Sequence, residues 1–170
     1  MSQELLLGII GTIIALSAVA TTIWQGILTR RHNRLSVKPI LRIDRRTIVG
    51  EKVSILLINS GVGPAIICCV KFFVDGIVIE SNSNIMGAGN LALIKTMQDA
   101  RKYRIFEIFP QESFAAGEQQ ALFESIDEIK NEIVMKEIKQ SFDRISIEIE
   151  YESIYKEKFI MNSPISQNNY

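Results

Sequence analysis

The sequence predicts an α+β protein: an N-terminal transmembrane helix followed by a small antiparallel β-sandwich-like domain with one or two helices. Three observations predict this fold. Residues 5–29 contain no charged side chain. From residue 37 onwards, short β-branched and aromatic runs alternate with turn residues, as in antiparallel sheets. Only the stretch between residues 125 and 142 shows a strong helical period instead.

The apolar segment at residues 5–29 reads LLLGIIGTIIALSAVATTIWQGILT. At ~1.5 Å per residue, a helix of this length spans roughly 37 Å, and a bilayer hydrocarbon core is about 30 Å thick. A cleaved signal peptide would have basic residues before the apolar run, but the segment that precedes it here is MSQE. We therefore predict a retained, single-pass membrane helix.

The charges that flank this helix predict its orientation. The basic residues all follow the helix and none precedes it; the first four are Arg30, Arg31, Arg34 and Lys38. The positive-inside rule then places the N-terminus outside and residues 30–170 in the cytoplasm. Cys68 and Cys69 lie in an apolar run, and we expect free, buried thiols on opposite faces of a strand, as suits a reducing compartment.

Four segments follow from this pattern. They are a transmembrane helix (5–29), a basic juxtamembrane linker (30–36), a cytoplasmic β-rich domain (37–163) and a polar tail (164–170). Within the domain the expected strands are 37–44, 53–60, 65–75, a hairpin partner after Asp75-Gly76, 104–109, two short strands around Gly117-Glu118, 144–154 and 159–162. The sequence SNSN at 81–84 is expected to break the pattern.

Two helices are expected inside the domain. A short one is placed around residues 91–103. The other begins with a capping box formed by Ser125 and Glu128. Its apolar face is expected to contain Ile126, Ile129, Ile133, Ile138 and Phe142.

The glycine-rich stretch NSGVGPA at 59–65 has two interpretations, a phosphate-binding loop or a sharp corner between strands. A phosphate loop would open a helix, whereas this stretch leads into a β-branched run. We therefore predict a structural turn formed by Gly61, Gly63 and Pro64, in which glycine supplies positive φ and proline fixes the exit direction.

Catalytic patterns are missing from the sequence. His32 is the single histidine, so triads and histidine-rich metal sites lack a second member. Glu148, Glu150 and Glu152 alternate along one strand, as on the solvent side of a half-buried sheet. We predict no catalytic residue, cofactor, metal site or small-molecule substrate, and hence a non-enzymatic protein.

The basic residues Arg30, Arg31, Arg34 and Lys38 allow several interpretations. They can contact anionic lipid head groups, at ~1 kcal/mol for each well-placed base. They can instead hold RNA phosphates. They can also serve only to set the topology. Lipid contact and topology are favoured, since no aromatic stacking residues accompany the bases.

The membrane segment carries a seam of small and polar side chains with heptad spacing. Small residues allow helices to approach closely in lipid, and hydroxyl or amide groups form hydrogen bonds between them. A primary amide that faces lipid is costly. The sequence therefore predicts self-association into a homo-oligomer through Gly8, Gly11, Ala15, Ala18, Thr22, Gln25 and Thr29.

With its N-terminal helix, basic segment and NSGVGPAII corner, the chain resembles small bacterial single-pass membrane proteins with a cytoplasmic β-rich domain. More narrowly, it is similar to the membrane accessory proteins that accompany RNA-targeting CRISPR effectors of the Cas13 type. The resemblance implies a membrane pore that strengthens antiviral defence, with an RNA-guided effector or RNA as a partner. Some members are discussed as carrying a HEPN motif, an Arg four to six residues before a His. Only Arg30 and Arg31 precede His32 at short range, so no nuclease role is implied.

Two functions are consistent with these patterns. The first is a membrane homo-oligomer, with pore formation as its extension. The alternative is a sensor or partner-docking domain that the helix merely anchors to the bilayer.

Overall fold

The computed structural model describes residues 2–79, 85–97, 102–106 and 108–163. The chain divides into two compact units, Met1–Ser36 and Val37–Tyr170. The first unit is one helix, α1 (Gln3–Leu35). The predicted break at 81–84 and the predicted tail at 164–170 lie outside the described residues.

The second unit contains two antiparallel sheets and two helices, and neither sheet closes into a barrel. One sheet has the spatial order β1 (Leu41–Arg46), β2 (Ser54–Asn59), β7 (Gln119–Ser125) and β5 (Tyr103–Ile105). The other has the order β4 (Ile77–Val78), β3 (Ala65–Val74), β8 (Ile145–Glu152) and β9 (Lys158–Asn162), and β6 (Ser113–Phe114) also pairs with β3. The helices are α2 (Ile85–Thr96) and α3 (Glu132–Asp143). The predicted α+β class is confirmed.

The two sheets share one apolar core. In β8 the alternation is as predicted, since the residues from Ile145 to Tyr151 at every second position are buried. The rings of Phe72 on β3 and Phe123 on β7 meet edge to face at 5.7 Å, which joins the sheets. Such aromatic pairs add about 0.5–1.5 kcal/mol beyond the burial of their area.

Local turn chemistry sets the hairpin between β3 and β4. Asp75 and Gly76 have φ values of 53° and 79°, as in the two-residue turns that suit the twist of antiparallel strands. Other boundaries differ from the prediction. β1 begins at Leu41 rather than at residue 37, α2 begins at Ile85 and ends at Thr96, and β5 has three residues.

The predicted capping box at Ser125 and Glu128 is wrong. Ser125 ends β7, where its hydroxyl accepts a hydrogen bond from the Val53 amide at 3.0 Å and donates one to the Asp127 carbonyl at 2.7 Å. The helix α3 instead begins after Asn131, whose side chain accepts from the amides of Ile133 and Val134. The predicted apolar face is consequently wrong in part, because Ile126 and Ile133 are exposed and the buried residues are Met135, Ile138 and Phe142.

Gly61 and Gly63 in the 59–65 corner allow another backbone segment to approach closely. The prediction that they adopt positive φ is wrong. Among the described glycines, those with positive φ are Gly50, Gly76 and Gly117. A Cβ on Gly61 would lie 2.7 Å from the Pro39 carbonyl carbon, and one on Gly63 would lie 2.7 Å from the Val37 Cα. The segment before β1 therefore occupies the space that a side chain at either glycine would need. Pro64 follows these glycines and immediately precedes β3.

The Asn59 side chain fixes this corner. It is fully buried, and its amide nitrogen donates to the carbonyls of Gly63, Phe114 and Ala115 at 2.8–3.1 Å. Its oxygen accepts from the amides of Ile40 and Gly61 at 3.2 and 3.0 Å. One carboxamide thus connects the start of β1, the corner, and the chain around β6.

We expect Gly63→Ala to lower the free energy of unfolding by about 1–3 kcal/mol, because the new methyl group forces apart two backbone segments. The control is Gly89→Ala in α2, where a Cβ would meet the Phe123 ring at an ordinary 3.4 Å and alanine favours the helix. Thermal unfolding of the full-length protein in detergent measures both. Equal melting temperatures for the two variants would contradict the close-approach account.

We expect Asn59→Asp to destabilise the protein by about 3 kcal/mol or more at neutral pH, because a buried carboxylate would face three carbonyls. This environment raises the pKa of the introduced acid in the folded state. The penalty is therefore smallest below the unfolded pKa of ~3.9 and grows as the pH rises above it. Ser60→Ala, which removes one exposed hydroxyl contact to the Ile40 carbonyl, is the control. A pH-independent loss of stability would contradict the assignment.

Candidate functional site

The first unit, α1, is long and apolar enough to cross a bilayer over Leu6–Leu35, as judged by length and composition. None of its described side chains within that span is buried by the rest of the chain. Lipid or a second copy of the helix can cover these exposed apolar side chains.

The predicted seam forms one face of α1. At about 100° per residue, its seven side chains fall within an arc of about 100°. A Cβ on Gly8 or Gly11 would meet nothing within 4 Å, so this part of the face is a shallow groove open to a neighbour. The structure thus brings all seven predicted residues to one side: Gly8, Gly11, Ala15, Ala18, Thr22, Gln25 and Thr29.

The polar side chains of this helix differ in how they are satisfied. The hydroxyls of Thr12, Ser17, Thr21 and Thr22 donate to backbone carbonyls three or four residues earlier, each at 2.8 Å. In contrast, Gln25 and Thr29 make no side-chain hydrogen bond within the described residues. A carboxamide in an apolar medium needs a partner, so Gln25 is the seam residue with the strongest requirement for one.

Gly26 lies on the same face of α1 as the seam, although it was not among the predicted residues. It lies at about the same angle as Gly8, because eighteen residues complete five helical turns. A Cβ there would also meet nothing within 4 Å. The signal was present in the sequence as the small-xxx-small pair Thr22 and Gly26, which interrupts the strict heptad count.

The predicted basic linker is helical. α1 continues through Arg30, Arg31 and Arg34 to Leu35, and Ser36 closes it. These three arginines are exposed and lie on a face centred about 140° around the helix from the seam. Arg31 and Arg34 therefore lie on the side opposite the seam, whereas Arg30 lies at its border, about 90° from the seam centre.

Lys38 does not belong to this arginine face. It lies in the second unit, where its amine sits 5.5 Å from the centre of the Phe159 ring, in a cation–π contact. Arg45, further along the basic stretch, donates to the Ile145 carbonyl at 2.7 Å, and burial lowers the pKa of this guanidinium. The structure thus separates the predicted contact residues into one helical set and one domain residue.

The acids of β8 are held by lysines. Lys71 on β3 contacts Glu148 at 2.9 Å and Glu150 at 2.8 Å. These hydrogen bonds raise the pKa of Lys71 well above its usual range and lower the pKa of Glu150. In the part of the chain that the structure describes, no group of three or more His, Cys, Asp or Glu side chains is placed to hold a metal ion.

The prediction that both cysteines are buried is wrong. Cys68 is exposed and Cys69 is half-buried, and both are free thiols. The reason lies in the pairing of β3 with β8, whose register shifts between Ile67 and Cys69.

Comparisons with family models, with curated proteins and with solved structures find no match to this chain.

Proposed function

We propose that this protein is a non-enzymatic membrane protein that self-associates through the seam of α1 into a homo-oligomer. The single observation that carries the proposal is the unsatisfied carboxamide of Gln25 on a face of small side chains. In a bilayer, the same group on a neighbouring copy is a fitting hydrogen-bond partner. Interhelical hydrogen bonds of this kind contribute about 0.6–2 kcal/mol each.

The arginine face supports lipid as the second partner. Arg31 and Arg34 point away from the seam, so subunits that meet at the seam direct these two bases outward, towards lipid head groups, and Arg30 lies beside them at the border of the seam. The same geometry keeps like charges apart across the interface. RNA or an RNA-guided effector is the competing partner for these bases.

We extend the proposal to a conducting pore in bacterial antiviral defence, on the basis of the resemblance drawn from the sequence. Several copies of α1 would surround an axis, with Gln25 and Thr29 near the cytoplasmic end. Polar groups at that depth can line a water-filled path. An anchored partner-docking domain is the alternative, for which no seam is needed.

We expect Gln25→Leu and Gly11→Leu each to reduce the subunit number, because the first removes the hydrogen-bonding amide and the second fills the groove. Ile13→Leu and Ile27→Leu are the matched controls, since both residues lie on the far side of α1 and change little in volume. Native mass spectrometry of the full-length protein in mild detergent measures the subunit number. Six or more subunits for the native chain are expected.

Ion flux into liposomes tests the pore separately from assembly. We expect flux from the native protein and both controls, and a loss of at least tenfold for the seam variants. A native monomer or dimer would contradict the assembly. A large oligomer without flux would retain the assembly and contradict only the pore. Equal subunit numbers and equal flux for the seam and control variants would contradict a role of the seam.

The exposed Cys68 provides a probe of orientation. If the domain is cytoplasmic, a membrane-impermeant maleimide should label Cys68 only after the cells are permeabilised. In a background with both native cysteines changed to serine, an added Ser2→Cys should be labelled in intact cells. Labelling of Cys68 in intact cells would reverse the topology.

A further inference from the structure

At Cys68, the side chains of β3 change the face of the sheet to which they point. On the N-terminal side, Ala65 and Ile67 point into the core. On the C-terminal side, the residues in the core are Val70, Phe72 and Val74. The buried positions thus switch from odd to even numbers, so one extra residue lies between Ile67 and Val70.

The pairing with β8 identifies the extra residue. Ile67 lies opposite Tyr151 and Cys69 lies opposite Glu150, two consecutive residues on β8, so Cys68 has no residue opposite it. This is a β-bulge, in which two residues of one strand face one residue of its neighbour. Because the residues on both sides point inward, Cys68 and Cys69 both lie on the outer side of the sheet.

Two glutamates opposite this part of β3 are paired with lysines. Glu150, opposite Cys69, is held by Lys71. Glu152, opposite Ile66, is held by Lys156. The pKa of Lys156 is raised chiefly by its hydrogen bond to Glu152, with a smaller electrostatic contribution from Cys68. Lysines thus neutralise both glutamates opposite this part of β3.

We infer that Cys68 and Cys69 form a two-thiolate site for a soft monovalent cation of the Cu(I) type. Thiolates select soft cations. Zn²⁺ almost always takes four protein ligands in structural sites, and no group of three or more His, Cys, Asp or Glu side chains in the described residues is placed to hold a metal ion. Two thiols lose two protons as one Cu(I) binds, and no group is oxidised or reduced.

A disulfide between these residues is less favourable than the metal site. Adjacent Cα atoms are about 3.8 Å apart, whereas disulfides usually join Cα atoms at about 4.4–6.8 Å. A cation that lies between the two sulfur atoms requires no S–S bond and therefore none of this strain.

The test uses the reduced, full-length protein in detergent under argon, with Cu(I) supplied from a coloured chelator that competes for it. We expect one Cu(I) per chain. Cys68→Ser and Cys69→Ser should each weaken binding by roughly a hundredfold or more, because the second thiolate acts at a high effective concentration. Glu150→Gln is the control and should bind within a few-fold of the native chain.

Binding by either serine variant within tenfold of the native chain would overturn the inference. So would one Cu(I) per two chains, which would assign the thiols to different copies. Alkylation by iodoacetamide, mapped by mass spectrometry on the native sequence, gives a readout without substitutions. We expect Cu(I) to protect both thiols, and protection of neither would overturn the site.

Discussion

The buried carboxamide of Asn59 is the interaction on which the architecture of the domain depends. Asn59 is the last residue of β2 in one sheet, and the chain then turns through the corner to begin β3 in the other sheet. Five backbone groups from separate segments converge on this one side chain. A buried polar group without a hydrogen-bond partner costs about 1–3 kcal/mol, so these bonds stabilise the corner. This network explains why NSGVGPA is a corner, with the backbone of residues 37–39 packed where side chains at Gly61 and Gly63 would lie.

Much of the fold follows from local patterns, and the exceptions have long-range causes. The alternation in β8, the Asp75-Gly76 turn and the length of α1 depend on neighbours in sequence, so they could be predicted. The bulge at Cys68 could not, because one unpaired residue shifts the parity of a strand without any change in composition. The roles of Gly61 and Gly63 depend on residues 37–39, which approach from more than twenty positions earlier. Ser125 met the local rule for a helix cap, but its hydroxyl is used by Val53 in a neighbouring segment.

The candidate site could be predicted in its residues more fully than in its geometry. The small and polar positions of α1 were evident from spacing alone. Two findings required the structure of the helix. Four hydroxyl groups form hydrogen bonds within the helix, whereas the side chains of Gln25 and Thr29 form none among the described residues. The arginines that follow them continue the same helix but lie on a different face. Together they describe a helix with two surfaces, one suited to a copy of itself and one suited to anionic head groups. In the β-rich unit, by contrast, the buried polar side chains of Asn59 and Ser125 have their hydrogen-bond partners within the unit.

A cysteine scan of α1 shows whether copies of this helix meet along the seam. Each position from 8 to 29 is changed in turn to cysteine, in a chain whose native cysteines are replaced by serine. The variants are oxidised in membranes, and the covalent dimers are quantified. The account predicts maxima at Gly8, Gly11, Ala15, Ala18, Thr22, Gln25 and Thr29, with a further maximum at Gly26 and minima at Ile13 and Ile27. Uniform cross-linking, or maxima on the face that contains Ile13 and Ile27, would contradict it.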